Sequence, residues 1–237
     1  MTAQLNLGDL SLDVNFKDIK NVHLSVHPPA GRVTVSAPSR MKLETIRVYA
    51  ITKLGWIRRQ QRKLQKQERE APREFLNNES HFFWGKRYLL RLLESNRVSV
   101  TAGHNTLVLH VPAGYTRDQK QSVLARWYRQ QIRSLVPAVI AHWSPAVGVE
   151  VKNVNVRRMK TKWGSCNHRS RSILLNTDLA KKPKECLEYV LVHEMVHLLE
   201  PTHNARFRAA MDHLMPNWRL RRDLMNELQV SHQEWKL

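Results

Sequence analysis

Apolar and polar residues alternate over residues 10–16, placing Leu10, Leu12, Val14 and Phe16 on one side of the chain. Val22, Leu24 and Val26 repeat the period of two, and Val33 and Val35 open a third run beyond a Pro28-Pro29-Ala30-Gly31 turn. Alternation sends successive side chains to opposite faces, so these runs predict half-buried strands. The period then changes. Leu43, Ile46, Ala50, Leu54, Ile57 and Leu64 fall at helical spacing and predict one long helix from residue 41 to about 69, ended by Ala71-Pro72. Strands resume at 82–93, 98–101 and 107–111, with turn chemistry at Gly85-Lys86 and Gly103-His104-Asn105. Thr116 and Gln119 have the spacing of a capping box. A second long helix follows through Val123, Trp127, Leu135, Val139 and Trp143, with Pro137 placed to kink it and Ser144-Pro145 to close it.

The last third differs in character. Val151, Val154 and Val156 begin a strand expected to run into 157–166, and 172–176 reads as its short partner. Three helices are expected, at about 183–200, 205–215 and 218–228. No internal repeat is visible. The pattern predicts an α+β chain: an N-terminal β-rich region over residues 1–112 carrying a long basic helix, and a second region over 113–237 that opens with the second long helix.

That second region contains His193-Glu194-Met195-Val196-His197. Helix positions four apart project from one face about a turn apart, so both imidazoles can reach one metal ion. Glu194 is then angled toward a metal-activated water rather than toward the metal. A catalytic zinc takes three protein ligands and keeps one position open. Pro201 stops the helix, Asn204 suits the cap of the next one, and His203 lies in the turn between them, where it can fold back as the third ligand. Without a metal, three imidazoles and a carboxylate would sit unpaired on an apolar helix, which costs free energy. We therefore expect one zinc ion per chain on His193, His197 and His203, with Glu194 as general base. His168, His213, Tyr189 and the arginines of 206–222 are candidates for stabilising the oxyanion.

Charge adds a second theme. Lys and Arg number 39 against 20 acids, a formal +19. Such a field attracts polyanions, so nucleic acid is a plausible partner beside a protein or peptide substrate. Arg58, Arg59, Arg62 and Lys63 line the first long helix, and Arg157, Lys160 and Lys162 run toward the expected cleft. A solvated helix face explains the first group equally well. No apolar run reaches a membrane-spanning length, and residues 1–30 lack the basic start and apolar block of a secretory signal. Two cysteines make no disulfide framework, so a reducing, cytoplasmic setting is expected.

Three segments together resemble the YgjP-like zinc metallopeptidase family, kin to SprT-like proteases. They are Met159-Lys160-Thr161-Lys162-Trp163-Gly164-Ser165-Cys166, Ile173-Leu174-Leu175-Asn176, and the helix from Tyr189 through His193-Glu194 to Leu198. The likeness extends to Phe83-Trp84-Gly85-Lys86-Arg87-Tyr88 and Arg126-Trp127-Tyr128. It implies a zincin-type core, with a small sheet packed on the HExxH helix, and a cleft beside Trp163, Gly164, Ser165 and Cys166. It also implies a peptidase, although relatives have been assigned nucleotide pyrophosphatase activity and some are encoded beside restriction–modification genes. Thr202 before His203 and Arg208 after Phe207 depart from the family pattern and leave the ligands intact. A metal-dependent nuclease or nucleotide pyrophosphatase on the same scaffold is the alternative. Three histidines favour a single zinc, whereas phosphoryl chemistry usually recruits carboxylate-held metals, for which only Asp178, Glu185, Glu188, Glu200 and Asp212 are nearby in sequence.

Overall fold

The computed structural model describes residues 2–27, 31–66, 73–159 and 162–227. It divides into two compact units, Met1–Arg69 and Glu70–Leu237. Each has its own apolar core. The boundary expected after residue 112 lies inside the second unit, because Leu90, Leu107 and Leu109 share a core with Leu191 and Met195.

In the first unit the strands are β1 (Thr2–Leu7), β2 (Leu10–Lys17), β3 (His23–His27) and β4 (Arg32–Pro38), in the order β1-β2-β4-β3. β2 and β4 are parallel and both outer pairs are antiparallel. The alternating residues behave as their period requires: Leu10, Leu12, Val14, Val33 and Val35 are buried. β1 was not foreseen. Its apolar residues are only Ala3, Leu5 and Leu7, and its pairing to β2 supplies the order that its composition does not. The single helix expected over 41–69 is two helices, α1 (Leu43–Thr52) and α2 (Leu54–Lys66). Lys53 leaves the helical path, donating to Ala50 O, and the break keeps Ile46, Ala50 and Ile57 all buried. The Pro28-Pro29-Ala30 turn and the Ala71-Pro72 stop lie outside the described residues.

The second unit begins with β5 (Ser80–Phe83), β6 (Lys86–Glu94), β7 (Ser99–Ala102) and β8 (Thr106–Val111), in the order β5-β6-β8-β7. Strand order and directions repeat those of the first sheet, and both sheets open with a two-residue hairpin turn. The two copies share little beyond the alternation of buried positions, so the sequence showed no repeat. α3 (Arg117–Val147) follows, with the predicted capping box in place: Thr116 Oγ1 accepts from Gln119 N, and the Gln119 side chain accepts from Thr116 N. Pro137 and Pro145 both lie inside this helix. Ser144-Pro145 therefore does not close it. Gly148 does, in the left-handed conformation, with its N–H on Ser144 O.

Next come β9 (Asn153–Arg157), β10 (Gly164–Asn167) and β11 (Ser172–Asn176), in the order β10-β11-β9. The continuous strand expected from 151 through 166 is not formed. The chain leaves β9 at Arg157 and returns as β10 on the opposite side of β11, antiparallel to it, while β9 is parallel to it. Arg157 and Lys162 therefore do not alternate along one strand, and Lys160 lies outside the described residues. A short 3-10 turn (Thr177–Lys181) leads into α4 (Lys184–Val196), α5 (Ala205–Leu214) and α6 (Trp218–Glu227). α4 is central, packed by α3, α5, α6 and the small sheet. Among the described residues no helix is long and apolar enough to cross a membrane.

The β5–β6 turn anchors its sheet to this core. Trp84 N and Gly85 N donate to Ala180 O and Lys181 O of the 3-10 turn. Gly85 has φ +78, and a Cβ there would lie 2.7 Å from Pro183 Cγ and 3.2 Å from its backbone nitrogen. Gly85→Ala combines left-handed strain with a clash against backbone, so a loss of about 2–3 kcal/mol is expected by urea unfolding. Wild-type stability in that variant would show that the turn does not bear on the core.

Candidate active site

α4 is apolar on nearly every side, with Leu187, Val190, Leu191, Val192, Met195 and Val196 buried. A helix apolar all round must be surrounded, and its few polar residues are then held in a fixed frame. His193, Glu194 and the C-cap residue His197 are those polar residues at its C-terminal end. The chain turns after Glu200, Asn204 caps α5 by accepting from Phe207 N, and His203 folds back. Two further bonds fix the turn: Asn204 Nδ2 donates to Glu200 Oε1 at 2.9 Å and Arg208 Nη1 donates to His203 O at 3.0 Å.

Nε2 of His203 lies 3.0 Å from Nε2 of His197 and 3.0 Å from Nε2 of His193. One donor atom from each of the three residues falls within 4.8 Å of the others. Nitrogen ligands about 2.0–2.1 Å from one zinc ion sit roughly this close together. Nδ1 of His197 is 2.9 Å from Glu200 O, which fixes the proton on Nδ1 and leaves the Nε2 lone pair for a cation. Burial, then the neighbouring His197 and His203, pushes His193 down to about 3. Burial lowers His197 as well. Both imidazoles are thus kept neutral, the form that ligates metal. The donor set fits one metal ion.

Glu194 is buried and faces Gly164 of β10, where an added Cβ would sit 2.7 Å from Glu194 Oε1. Burial raises this carboxyl to about 7, against a smaller lowering by Lys162. A cleft of about 410 Å³ joins these residues to the strand; Lys162, Trp163, Gly164, Ser165 and Cys166 line one side, and His168, Tyr189 and Met225 also line it. The cleft residues expected from the sequence are thus brought together with the histidines. Burial, with Glu194, pushes the half-buried Cys166 thiol up to about 11, so it is a neutral wall residue. Cys186 is fully buried in the core. Of the proposed oxyanion candidates, His168 and Tyr189 line the cleft and His213 does not. Arg157 lines a neighbouring groove along β9 and β11. Arg58, Arg59 and Arg62 are exposed on α2 in the first unit, with Arg58 paired to Asp9. The Lys63 side chain lies outside the described residues.

Two site residues escaped the sequence reading. Phe207 is buried with its ring centroid 4.9, 4.6 and 4.8 Å from those of His193, His197 and His203, so it buttresses all three. Its position three residues after the Asn204 cap was the available signal. Asn176 ends β11 and ties down the approach to β10: its Nδ2 donates to Met159 O and Lys162 O, and its N–H to Trp163 O.

Imidazoles gathered by a return turn onto an HExxH helix, with a buried glutamate beside them, belong to metallopeptidase-like hydrolases, and that is the class of this chain. Within the class it is a member of the YgjP-like metallopeptidase family, whose profile matches residues 20–228. Solved structures similar to it include two metallopeptidase zymogens. One is the metallopeptidase zymogen abylysin of Pyrococcus abyssi (22% identity over 41% of this chain and 99% of that one, TM-score 0.37). The other is the metallopeptidase zymogen jannalysin of Methanocaldococcus jannaschii (18% identity over 40% and 95%, TM-score 0.32). No curated protein matches the chain.

Proposed function

We infer that the chain is a zinc peptidase in which His193, His197 and His203 hold one zinc ion and Glu194 is the general base. The juxtaposition that carries this reading is the triad of Nε2 atoms beside a buried carboxylate, on a cleft walled by β10. When bound, zinc supplies Lewis acidity that polarises a scissile carbonyl and acidifies water. The Glu194 carboxylate takes the proton of the attacking water and returns it to the leaving amine. Among the described residues no strand pairs with the outer side of β10. An extended peptide can add there as a further strand, which lays its carbonyls along the cleft.

The five acids that a second metal would need support the peptidase reading. Asp178 pairs with Lys181, Glu188 with Arg221 and Asp212 with Arg219, Glu200 accepts from Asn204, and Glu185 does not line the cleft. Among the described residues lining the cleft, Glu194 is the one acid. The +19 charge and the exposed arginines of α2 suit work close to nucleic acid, as a means of recruitment rather than as chemistry. The two cysteines stand unpaired, as a reducing cytoplasmic compartment would leave them.

Zinc-loaded and chelator-stripped protein would be incubated with one mixture of unfolded protein, plasmid DNA and nucleoside triphosphates, and the products read by mass spectrometry. Peptides released only by the zinc-loaded form are expected. Nicked plasmid or pyrophosphate without peptides would overturn the peptidase reading.

A further inference from the structure

A second pocket, of about 100 Å³, lies in the second unit where α3, β5 and the 3-10 turn meet. It shares no lining residue with the cleft that holds the histidines. Among the described residues that line it are Arg73, Arg129, Arg158 and Lys181, with Asp178 paired to Lys181 at 3.1 Å. Among the described residues the half-buried Arg129 has no ion-pair or hydrogen-bond partner. Thr177 also lines the pocket. It is only 4% exposed, and its Oγ1 is buried with no hydrogen-bond partner. A buried hydroxyl left unpaired costs free energy, and such a group in a native fold calls for an explanation.

We propose that this pocket binds a phosphate group, with the Thr177 hydroxyl and the Arg129 guanidinium as its principal donors. A bound phosphate oxygen satisfies the orphaned hydroxyl. The guanidinium donates a charge-assisted pair of bonds to the same group. A guanidinium and a hydroxyl side by side suit a phosphate, whose several oxygens can accept from both. The volume takes the phosphate alone, so the source is either free inorganic phosphate or the terminal phosphate of a ligand whose remainder stays outside. The neighbouring cleft is not part of the site, and zinc occupancy is not required.

Isothermal titration of the full zinc-loaded chain with inorganic phosphate tests this. Thr177→Val and Arg129→Gln are the variants. Neither touches the histidines, and Thr177→Val removes a hydroxyl that has no partner to lose. The wild type is expected to bind phosphate saturably at millimolar concentration. Each variant should bind roughly tenfold to a hundredfold more weakly, the worth of one charge-assisted contact. Circular dichroism should be unchanged. Phosphate held elsewhere, on the zinc included, would persist in both variants. An unchanged affinity in either variant overturns the proposal, as does the absence of saturable binding by the wild type. Nucleoside monophosphate serves as the second probe. Tighter binding than inorganic phosphate makes a terminal phosphate the natural ligand, and equal or weaker binding makes it the free ion.

Discussion

Glu194→Gln should keep its zinc and lose about three orders of magnitude in kcat/KM, within the range for removal of a general base. The amide has the shape of the carboxylate and fits the same space against Gly164. It cannot accept the water's proton at neutral pH, and it cannot hand one to the leaving amine. Glu194 is buried at the floor of the cleft, with no second carboxylate among the described lining residues to substitute for it. The histidine Nε2 atoms, 3.0 Å apart in two pairs, do not depend on it. Zinc content by mass spectrometry and peptide cleavage by steady-state kinetics would be measured together. A full rate with full zinc would place the base elsewhere, and His168 also lines the cleft. Loss of zinc would make Glu194 a ligand.

What was legible in the sequence is what depends on local spacing. His193 and His197 are four residues apart on a helix, so their shared face needs no tertiary information. Asn204 marks the restart that returns His203 and acts through its immediate neighbours, whereas α4, expected to run to about residue 200 before Pro201, already ends at Val196. Leu12, Val14, Val33 and Val35 declare a sheet face by period alone, and Thr116 with Gln119 declares a helix start. What failed depends on partners distant in the chain. Arg157 to Cys166 reads as one strand because every residue tolerates extended backbone. Only β11, lying between β9 and β10, shows that the chain must leave one edge and rejoin at the other. Asn176 reads as a strand end, and its role comes from carbonyls of Met159 and Lys162 that fold over it. Phe207 reads as one apolar residue of α5, and becomes the wall of the histidine cluster only when the turn closes. The two similar sheets are invisible for a related reason, since strand order is fixed by long-range pairing and leaves almost no mark on residue identity.

The second large effect is expected at a residue with no chemistry of its own. Gly164 does not adopt a positive φ, so its backbone would accept any side chain. Its restriction is space. An added Cβ would meet Glu194 Oε1 at 2.7 Å, Glu194 Cγ at 2.8 Å and Val190 Cγ1 at 2.9 Å. Val190 is buried and β-branched, so its side chain is stiff and yields little. The flexible partner is the glutamate, so the carboxylate moves. A displacement of about 1 Å at a reacting group costs on the order of a hundredfold in rate. Gly164→Ala should therefore lower kcat by about that factor, with KM and zinc content near wild type and a loss of about 1–3 kcal/mol in stability for overpacking. Ser172→Ala, on the adjacent strand β11 and outside the cleft, is the control and should change kcat little. If Gly164→Ala instead raised KM at unchanged kcat, the added methyl would be obstructing the peptide and not the base. Wild-type kinetics would mean that β10 does not set the position of Glu194. A loss confined to kcat would tie the two elements together: the strand positioned to receive the peptide would also, through the missing side chain at 164, hold the proton acceptor in place.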